Sequence, residues 1–592
     1  MFAALPLISI LLITLCFLPR GGGYRQAFLG AAVCAGLLLT GVTELLSLLS
    51  AITFLNLAAF WSGVCTISLL YLAPRRREWK FANKFAENRV ILVCIAVVLA
   101  TTLLVALVSP PNNWDSMTYH MARVMHWIQN RSVAHYPTHI TRQLYSAPLA
   151  EYAIMQLQLL SGGDHFANTV QWFALCGCIT GASLLAREFG ASTQLQALSA
   201  LMTATIPMAI LQASSTQNDL VVALWLVCFV QFGMMLVKSP NLAYAVATGG
   251  ALGLAVLTKG SAYLFAAPFL LWLVCSGIKR YGYTFLKFTL VIGVMALALN
   301  GGQYGRNYSL WGNPLATDTE KLTNDGVTLS GTLSNLTRNI AANTWTPFAP
   351  ISLLQFRAVA GAHELLGIDM NDPATTFTDP FRPMKMSRDE DLAGNGLHLL
   401  LIMGAIVAVS VRRKSLPRSL RGYTFSLACG FILFCMLLKW QPWGTRLMLP
   451  LFVLGSPLIA TALPLQWRRR SMTPVVALFM FLASLPWLFG NETRPLWGDQ
   501  SILYAERNSL YFVKRPELQS YYTRAVEQFS EQGSCHAISI VSSTGNTYEY
   551  PFWALLNERQ GEMPRIEHLF VNNISGSKPL PGFQPCFVFE ML

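Results

Sequence analysis

Charged residues are scarce in this chain of 592 residues: only 12% are Asp, Glu, Lys or Arg, while 53% are hydrophobic. A soluble domain of ordinary composition carries about 25% charged residues, so this chain lacks the polar surface that a soluble globule of its length needs. The same numbers exclude disorder and coiled coil. The formal net charge is +13, but in an apolar chain the basic residues more often mark cytoplasmic loops than a nucleic-acid partner.

Several motifs are also missing. The sequence contains no CxxC pair and no Cys/His spacing typical of a metal site. The first apolar run, 2–18, has neither a basic flank before it nor a small-residue cleavage site. We therefore expect it to be a retained helix and not a signal peptide.

Long uncharged runs, by contrast, are plentiful. A helix that crosses the hydrocarbon core needs roughly 20 mostly apolar residues, and fourteen runs approach this length. They predict membrane spans near residues 2–18, 27–49, 52–73, 90–109, 165–186, 193–212, 219–237, 242–258, 261–277, 284–304, 397–411, 422–438, 447–465 and 472–489.

The basic residues predict how these spans are oriented. Arg20 and Arg25 follow the first run, which by the positive-inside rule places the loop 19–26 inside and the N-terminus outside. With strict alternation, the internal connections hold half of the 42 Lys and Arg residues but only a few of the 29 acids. The sequence therefore predicts that both termini are extracytoplasmic.

Three predicted external segments are too long to be simple connectors, and long loops in a compact protein are often functional. With these segments, the chain divides into N-terminal spans (1–109), a first external loop with juxtamembrane helices (110–164), central spans (165–304), a large external loop (305–396), C-terminal spans (397–489) and an external C-terminal region (490–592). We expect the function to face outward.

The C-terminal region has the pattern of a small α/β domain. Residues 516–532 and 550–559 predict helices, and residues 537–541, with the segments IEHLFV and CFVFEM, predict strands. It contains no nucleophile elbow, phosphate loop or metal motif, which favours a structural or partner-docking role over catalysis. Of the twelve cysteines, only Cys535 and Cys586 lie outside predicted spans. In an oxidising compartment they can form one disulfide; two separate thiols are the alternative.

The first external loop begins with an acidic residue, in the segment PPNNWDSMTYHMARVMHW. Residues 115–130 have helical spacing, which predicts an amphipathic helix lying at the membrane interface. Asp115 stands in its first turn, where the helix dipole favours a carboxylate. An N-cap and a catalytic base are both compatible with this position. A second short amphipathic segment follows at 145–160.

Four more ionisable residues stand at the external ends of predicted spans: Asp219, Lys259, Arg306 and Arg446. For each one alone, a solvated helix terminus or a snorkelling side chain is the ordinary explanation. Together with Asp115, however, they place three cations and two acids on one face of a helical bundle. The cations suit a lipid phosphate, and an acid suits an acceptor hydroxyl or amine that must lose a proton.

The order of these motifs resembles the GT-C glycosyltransferase superfamily, in the branch of protein O-mannosyltransferases and lipid A aminoarabinose transferases. The matching segments, within residues 90–465, are WDSMTYH, APLAEYA, LAREFG, TQNDL, GLAVLTKG, RNYSLWGNP and TRLMLP. The resemblance implies a polytopic α-helical fold of about 14 membrane helices in the bacterial inner membrane. It also implies a polyprenyl-phosphate sugar donor and a lipid, glycan or protein acceptor.

The resemblance further implies roles for individual residues. Asp115 corresponds to the general base, and Asp219 to a residue that orients the acceptor or the catalytic loop. Candidates for the donor phosphate are Lys259, Arg306 and Arg446. Candidates for the acceptor side are Tyr119, His120, His126 and Arg142. Family members often carry a second acid beside the first, where this chain has Ser116. The implied reaction is a direct displacement at the anomeric carbon, with inversion of configuration.

Some GT-C enzymes use a divalent cation, but the first loop of this chain has no DxD motif. Asp389 and Asp391 have that spacing; we interpret them as solvated loop charges and assign no metal site, so that no cofactor is certain and a divalent cation stays open. Two other functions stay open, a transporter or flippase of lipid-linked glycan and a ligase or polymerase of surface polysaccharide. A transporter should place ionisable groups near the bilayer midplane and contain related halves. Only Glu44 lies well inside a predicted span, and no internal repeat is apparent.

Overall fold

The computed structural model describes residues 2–18, 23–74, 88–316, 321–344, 346–383, 385–463, 472–533, 535–559 and 563–592. Much of the basic charge that predicts the orientation, at 19–22, 75–87 and 464–471, lies outside the described residues. The described chain is mainly helical, with one small sheet near its C-terminus.

Eight helical stretches of the described residues are long and apolar enough to cross a membrane. One of them, Ser261–Trp311, is divided into two helices by a short turn at Gly282–Phe285. The long helices are α2 (Tyr24–Leu48), α3 (Phe54–Leu72), α4 (Arg89–Val108), α8 (Thr169–Glu188), α11 (Asp219–Lys238), α13 (Ser261–Tyr281), α14 (Leu286–Trp311), α18 (Arg418–Leu437) and α21 (Met472–Phe489). Shorter apolar helices are α1 (Leu5–Phe17), α12 (Leu242–Thr258), α17 (Gly396–Val411) and α20 (Leu449–Ala462).

These helices coincide with the predicted spans, apart from the run 193–212. There the chain forms two short helices, α9 (Thr193–Ala204) and α10 (Pro207–Gln212), and the single predicted span is wrong. Pro207 has no N–H to continue the first helix, and Ile206 before it adopts the extended conformation that a following proline favours. The fold class is confirmed: the chain is a polytopic α-helical membrane protein with a small C-terminal α/β domain.

Helix α11 occupies the centre of the bundle. Nearly all of its side chains are buried, and it packs against α8, α12 and α20. Helices α13 and α14 instead present large apolar side chains outward, such as Leu271, Leu290 and Leu297, each about two-thirds exposed. Exposed apolar surface of this extent is typical of a face that contacts lipid.

Helices α12 and α14 approach each other closely at Gly249 and Gly253. A Cβ atom added at Gly249 would lie 2.7 Å from Ile292 Cα, and one at Gly253 would lie 3.0 Å from Ala296 Cα. The two glycines are four residues apart and therefore lie on one helix face. This is the small-residue spacing that lets two membrane helices pack backbone to backbone.

The first long loop folds into a π-helical turn (Ser116–His120) followed by α5 (Met121–Asn130), α6 (Arg142–Tyr145) and α7 (Leu149–Ser161). The position of helix α5 at the membrane interface stays a prediction, but its polar face is not exposed. Its first two turns are buried on both faces, including the side chains of Arg123 and His126. The C-terminal domain and α7 pack against this helix and cover the polar face.

The second long loop contributes α15 (Leu329–Asn343) and α16 (Ala349–Leu366), and the short helix α19 (Gly444–Leu447) precedes α20. Beyond α21, the chain forms α22 (Arg507–Leu510), α23 (Gln519–Glu531) and α24 (Tyr550–Arg559), with strands β1 (Ala537–Ser542), β2 (Arg565–His568) and β3 (Phe587–Met591). These are close to the elements that the sequence predicts.

The three strands form a parallel sheet in the order β2-β1-β3. Phe552 of α24 stacks on Phe589 of β3, with 4.1 Å between the ring centres. Gln129 of α5 exchanges two hydrogen bonds with the backbone of Ile566 and so covers the free edge of β2. Cys535 and Cys586, each just before a strand, are joined in a disulfide. The domain is therefore attached to the first long loop along its sheet edge.

Candidate active site

A cavity of about 1010 Å³ lies where the ends of several membrane helices meet the long connecting segments. Its walls come from the first long loop, the ends of α12, α13 and α14, the segment before α17 and the chain around α19. Lys514 and Asn546, both beyond the last membrane helix, also line it. All of these connections belong to the side of the bundle that the sequence predicts to be external.

Arg446 lies between two carboxylates on the wall of this cavity. Its side chain is only 10% exposed. Nη2 lies 2.6 Å from Asp115 Oδ2, and Nη1 lies 2.9 Å from Asp391 Oδ1. Because the guanidinium is a rigid planar fork with several donors, Arg446 holds both acids in defined positions.

Asp115 precedes the π-helical turn but does not cap it through its side chain. Asn113 does so instead, since its Oδ1 accepts a hydrogen bond from Ser116 N at 2.8 Å. The carboxylate of Asp115 faces Arg446 and, at 3.9 Å, Arg142. Burial alone would raise the pKa of Asp115, but the two cations outweigh it and hold that pKa below its usual range. Asp115 is therefore ionised at neutral pH.

Asp389 and Asp391 are not the solvated loop charges that the sequence suggests. Asp389 is buried and forms an ion pair with Lys514, while Asp391 lines the cavity beside Arg446. Gln217 Nε2 donates a further hydrogen bond to Asp391 at 2.7 Å. Burial raises the pKa of Asp391 to about 6, although Arg446 opposes the shift.

Glu390, the acid between Asp389 and Asp391, anchors their segment in the protein. Glu390 and Arg494 are both completely buried, with 3.1 Å between Glu390 Oε1 and Arg494 Nη1. Thr493 Oγ1 donates a hydrogen bond to the other oxygen of Glu390 at 2.6 Å. The run Asp389–Glu390–Asp391 thus directs its middle carboxylate inward and the outer two toward the cavity. No pattern in the sequence indicates this division of roles.

Lys259 and Asp219 form a second ion pair at the cavity. Lys259 follows the last residue of α12 and lines the cavity, and its Nζ lies 2.5 Å from Asp219 Oδ1. Asp219 begins α11 and is 1% exposed. Lys259 lines the cavity, whereas Asp219 is buried and does not. Asp219 can therefore orient the lysine without contacting a ligand in the cavity.

Arg306 is not brought to the other cations. Its guanidinium makes two hydrogen bonds with the carboxylate of Glu44, at 2.7 and 2.9 Å, and a third with Tyr152 Oη at 2.8 Å. Gln303, Tyr304 and Asn307 of α14 line the cavity, but the guanidinium of Arg306 instead faces Glu44. Glu44 lies near the end of α2, so the pair joins two helix ends.

Of the four acceptor-side candidates, the structure places two at the cavity. Tyr119 and Arg142 line it, with the guanidinium carbon 5.1 Å from the centre of the tyrosine ring. His120 and His126 are buried away from it. His120 Nδ1 lies 2.5 Å from Glu151 Oε1, and His126 pairs with a glutamate of the C-terminal domain.

The C-terminal domain contributes side chains to the cavity wall. Asn546, between β1 and α24, accepts a hydrogen bond from Trp114 Nε1 at 3.2 Å and another from Arg142. Lys514, before α23, reaches Asp389. Sequence reasoning missed both residues because they lie hundreds of positions from their partners and carry no recognisable motif.

The three carboxylates of the cavity that pair with cations, those of Asp115, Asp389 and Asp391, do not fit a divalent cation. Asp115 and Asp391 both pair with Arg446, and Asp389 pairs with Lys514. A metal ion would have to displace these cations to reach a set of carboxylates. We therefore derive no step that passes through a metal at this position.

Fold and site together define a class of protein, a polytopic helical membrane protein that holds an ionised carboxylate and several cations in a cavity at one end of its bundle. No protein-family model and no curated protein sequence matches the chain.

Among solved structures, the chain is similar to ArnT from Cupriavidus metallidurans bound to undecaprenyl phosphate, with 14% identity over 82% of this chain and 86% of that chain and a TM-score of 0.47. It is also similar to the archaeal oligosaccharyltransferase AglB from Archaeoglobus fulgidus in complex with an inhibitory peptide and a dolichol-phosphate, with 12% identity, 83% and 65% coverage and a TM-score of 0.40. At these identities and TM-scores the likeness carries no argument about function, which has to be inferred from the side chains of this chain.

Proposed function

We propose that the chain is a membrane glycosyltransferase that transfers a sugar from a polyprenyl-phosphate-linked donor to an extracytoplasmic acceptor. The observation that carries the proposal is the contact of Asp115 and Arg446 in one cavity, 2.6 Å apart. A transferase of this kind needs a base for the acceptor beside a cation for the leaving phosphate, and this pair supplies both.

The donor phosphate would bind between Arg446 and Lys259. Arginine binds phosphate with two parallel hydrogen bonds, and lysine adds a second positive charge. The cavity wall also includes Val256, Leu257 and Leu438 at the ends of α12 and α18. These apolar residues suit the first isoprene units of a lipid whose tail lies in the membrane.

The reaction would be a single displacement. The acceptor oxygen or nitrogen forms a bond to the anomeric carbon while the bond from that carbon to the phosphate oxygen breaks, and the configuration inverts. Asp115 accepts the proton that the acceptor loses. The electron pair of the broken bond stays on the lipid phosphate, where Arg446 and Lys259 stabilise the added charge. Atoms and charges balance without an additional reactant.

The acceptor would enter on the side of Tyr119, Arg142 and Asn546. This wall combines an aromatic face, a cation and an amide, which is compatible with a lipid, glycan or protein acceptor. We propose that the cavity and both termini are extracytoplasmic and that the membrane is the bacterial inner membrane. The asymmetric distribution of basic residues supports this orientation.

Comparison of the lipids and surface glycans of a deletion strain with those of its complemented strain tests the proposal. We expect one modification to disappear and to return with the wild-type gene, but not with Asp115→Asn. The matched control is Asp325→Asn, which alters an exposed aspartate paired with Lys439. If Asp115→Asn restored the modification at normal expression, the base assignment would be lost and a flippase would become the better explanation.

A further inference from the structure

A second cluster of ionisable side chains lies between the first long loop and the C-terminal domain. It consists of His126 on α5, Glu549 just before α24 and His568 at the end of β2. His126 Nε2 lies 2.7 Å from Glu549 Oε1, and His568 Nε2 lies 3.3 Å from Glu549 Oε2. All three side chains are completely buried. None of the three is among the described residues that line the cavity.

One nitrogen atom that faces Glu549 is unsatisfied. His568 Nε2 lies 3.3 Å from the carboxylate but makes no hydrogen bond in the described part of the chain. Buried polar atoms without partners are rare in proteins and call for an explanation. An ion between this imidazole and the carboxylate would supply the missing partner.

The carboxylate of Glu549 is oriented by residues outside the trio. Trp553 Nε1 donates a hydrogen bond to Oε1 at 2.9 Å, and Gln143 Nε2 donates one to Oε2 at 2.5 Å. Carboxylates that bind metal ions are typically held by such additional hydrogen bonds. Glu549 is therefore preorganised in the direction of the two imidazoles.

We infer that His126, Glu549 and His568 bind a zinc ion that links the first long loop to the C-terminal domain. One ligand atom from each residue lies within 4.8 Å of the others, close enough for small side-chain movements to bring all three onto one ion. Two imidazoles and one carboxylate form a known ligand set for zinc, with a fourth position for water. The inference is independent of the proposed transferase activity.

Zinc binding has a defined proton balance. Each imidazole must present the lone pair of Nε2 to the ion, so any proton on that atom moves to Nδ1 or is released. In His568, Nδ1 accepts a long hydrogen bond from His139 N at 3.4 Å. Nδ1 can no longer accept this bond when it carries the proton that leaves Nε2. That weak contact must open when zinc binds.

The site would fix the segment that carries Asp115. The π-helical turn and α5 continue directly from Asp115, and Glu549 N donates a hydrogen bond to Met117 O at 3.0 Å. The same domain supplies Asn546 and Lys514 to the cavity. A metal ion at this junction would therefore hold the two halves of the cavity wall together, without contact with a substrate.

Metal analysis of the full-length protein, purified in detergent with a histidine-free affinity tag, tests the inference. After loading with zinc and dialysis, we expect about one zinc per chain. Glu549→Gln and His568→Ala should lower the content at least tenfold. His363→Ala is the control, because His363 is equally buried but bonds to Ser334 and to the backbone of α16.

Two measurements on the wild-type protein keep the test valid if the variants fold poorly. A chelator should lower the melting temperature and zinc should restore it, and cobalt in place of zinc should give the visible absorption of a tetrahedral site. Zinc below one-tenth per chain after loading, or cobalt bound without that absorption, would overturn the inference. Zinc retained equally by His568→Ala would also overturn it, since the ion would then be bound elsewhere.

Discussion

The carboxylate of Asp115 and the guanidinium of Arg446 are in contact at 2.6 Å, although 331 positions separate them in the sequence. Arg446 contacts a second acid as well, Asp391, at 2.9 Å. The arginine is therefore shared by two carboxylates. A phosphate that binds Arg446 has to replace at least part of this pairing.

Replacement of Arg446 by alanine should reduce transfer about a hundredfold or more, because the leaving phosphate loses its main cation. The dependence of the initial rate on donor concentration is the measurement, with the polyprenyl-phosphate-sugar fraction of the native membrane as donor. Arg446→Lys should retain part of the activity, since it keeps the charge but not the fork. An unchanged concentration dependence in Arg446→Ala would contradict a phosphate role.

Replacement of Asp391 by asparagine should strengthen donor binding several-fold. The variant removes one of the two negative charges that compete for Arg446 and keeps the shape of the side chain. Binding of polyprenyl phosphate to the purified protein measures the effect directly, without transfer. Glu527→Gln serves as the control, because that exposed acid pairs with Arg559 away from the cavity. Weaker binding in Asp391→Asn would mean that Asp391 orients Arg446 and does not compete with the phosphate.

The same contact predicts a pH dependence of donor binding. Burial raises the pKa of Asp391 to about 6, so the carboxylate is ionised at pH 7 and takes up a proton as the pH falls through 6. Protonation frees Arg446 from one negative charge, which favours phosphate binding, while the phosphate monoester, whose second pKa is about 6, loses a negative charge over the same range. As the pH falls, binding should therefore weaken less in the wild-type protein than in Asp391→Asn, where only the phosphate titrates. A pH profile identical to that of the wild-type protein would assign the effect to another group.

Breaking the buried pair of Arg494 and Glu390 should destabilise the protein. Arg494→Ala leaves the carboxylate of Glu390 buried without its cation, which typically costs about 3–5 kcal/mol. A drop in the melting temperature of the detergent-purified protein is the expected readout. Glu527→Gln, which removes the exposed pair with Arg559, should change it little. If both variants had the same melting temperature, the buried pair would have no special role in stability.

Gly249→Ala tests the close contact of α12 and α14. The added methyl group would lie 2.7 Å from Ile292 Cα, so the helices must separate, at a cost of about 1–3 kcal/mol. Gly293→Ala on α14 is the matched control, because its added methyl group meets no atom within 4 Å. Equal melting temperatures of these two variants would show that the helices separate without cost.

The sequence was sufficient to predict the membrane helices, because each one is a long apolar segment that can be recognised from its own residues. It also predicted Asp115, Lys259 and Arg446 as candidates, since an isolated charge at the end of an apolar helix stands out. It failed for the run 193–212, where apolar composition continues through Pro207 but the helix does not. It also grouped Arg306 with the donor cations, because its partner Glu44 lies on a helix far away in sequence.

The acids that complete the site could not be recognised for a related reason. Asp389 and Asp391 lie in a polar segment, where a carboxylate is ordinarily solvated, but in the folded protein this segment is anchored through Glu390 and Arg494. Asn546 is one polar residue among several in a turn. Contacts of this kind depend on how distant segments pack, and no local pattern in the sequence records them.

The contribution of Lys514 and Asn546 to the cavity wall has a consequence for the order of synthesis. In a chain synthesised from its N-terminus, these two residues are made after the described membrane helices. The cavity wall is therefore completed only when the segments that carry Lys514 and Asn546 have been made and have docked on the first long loop.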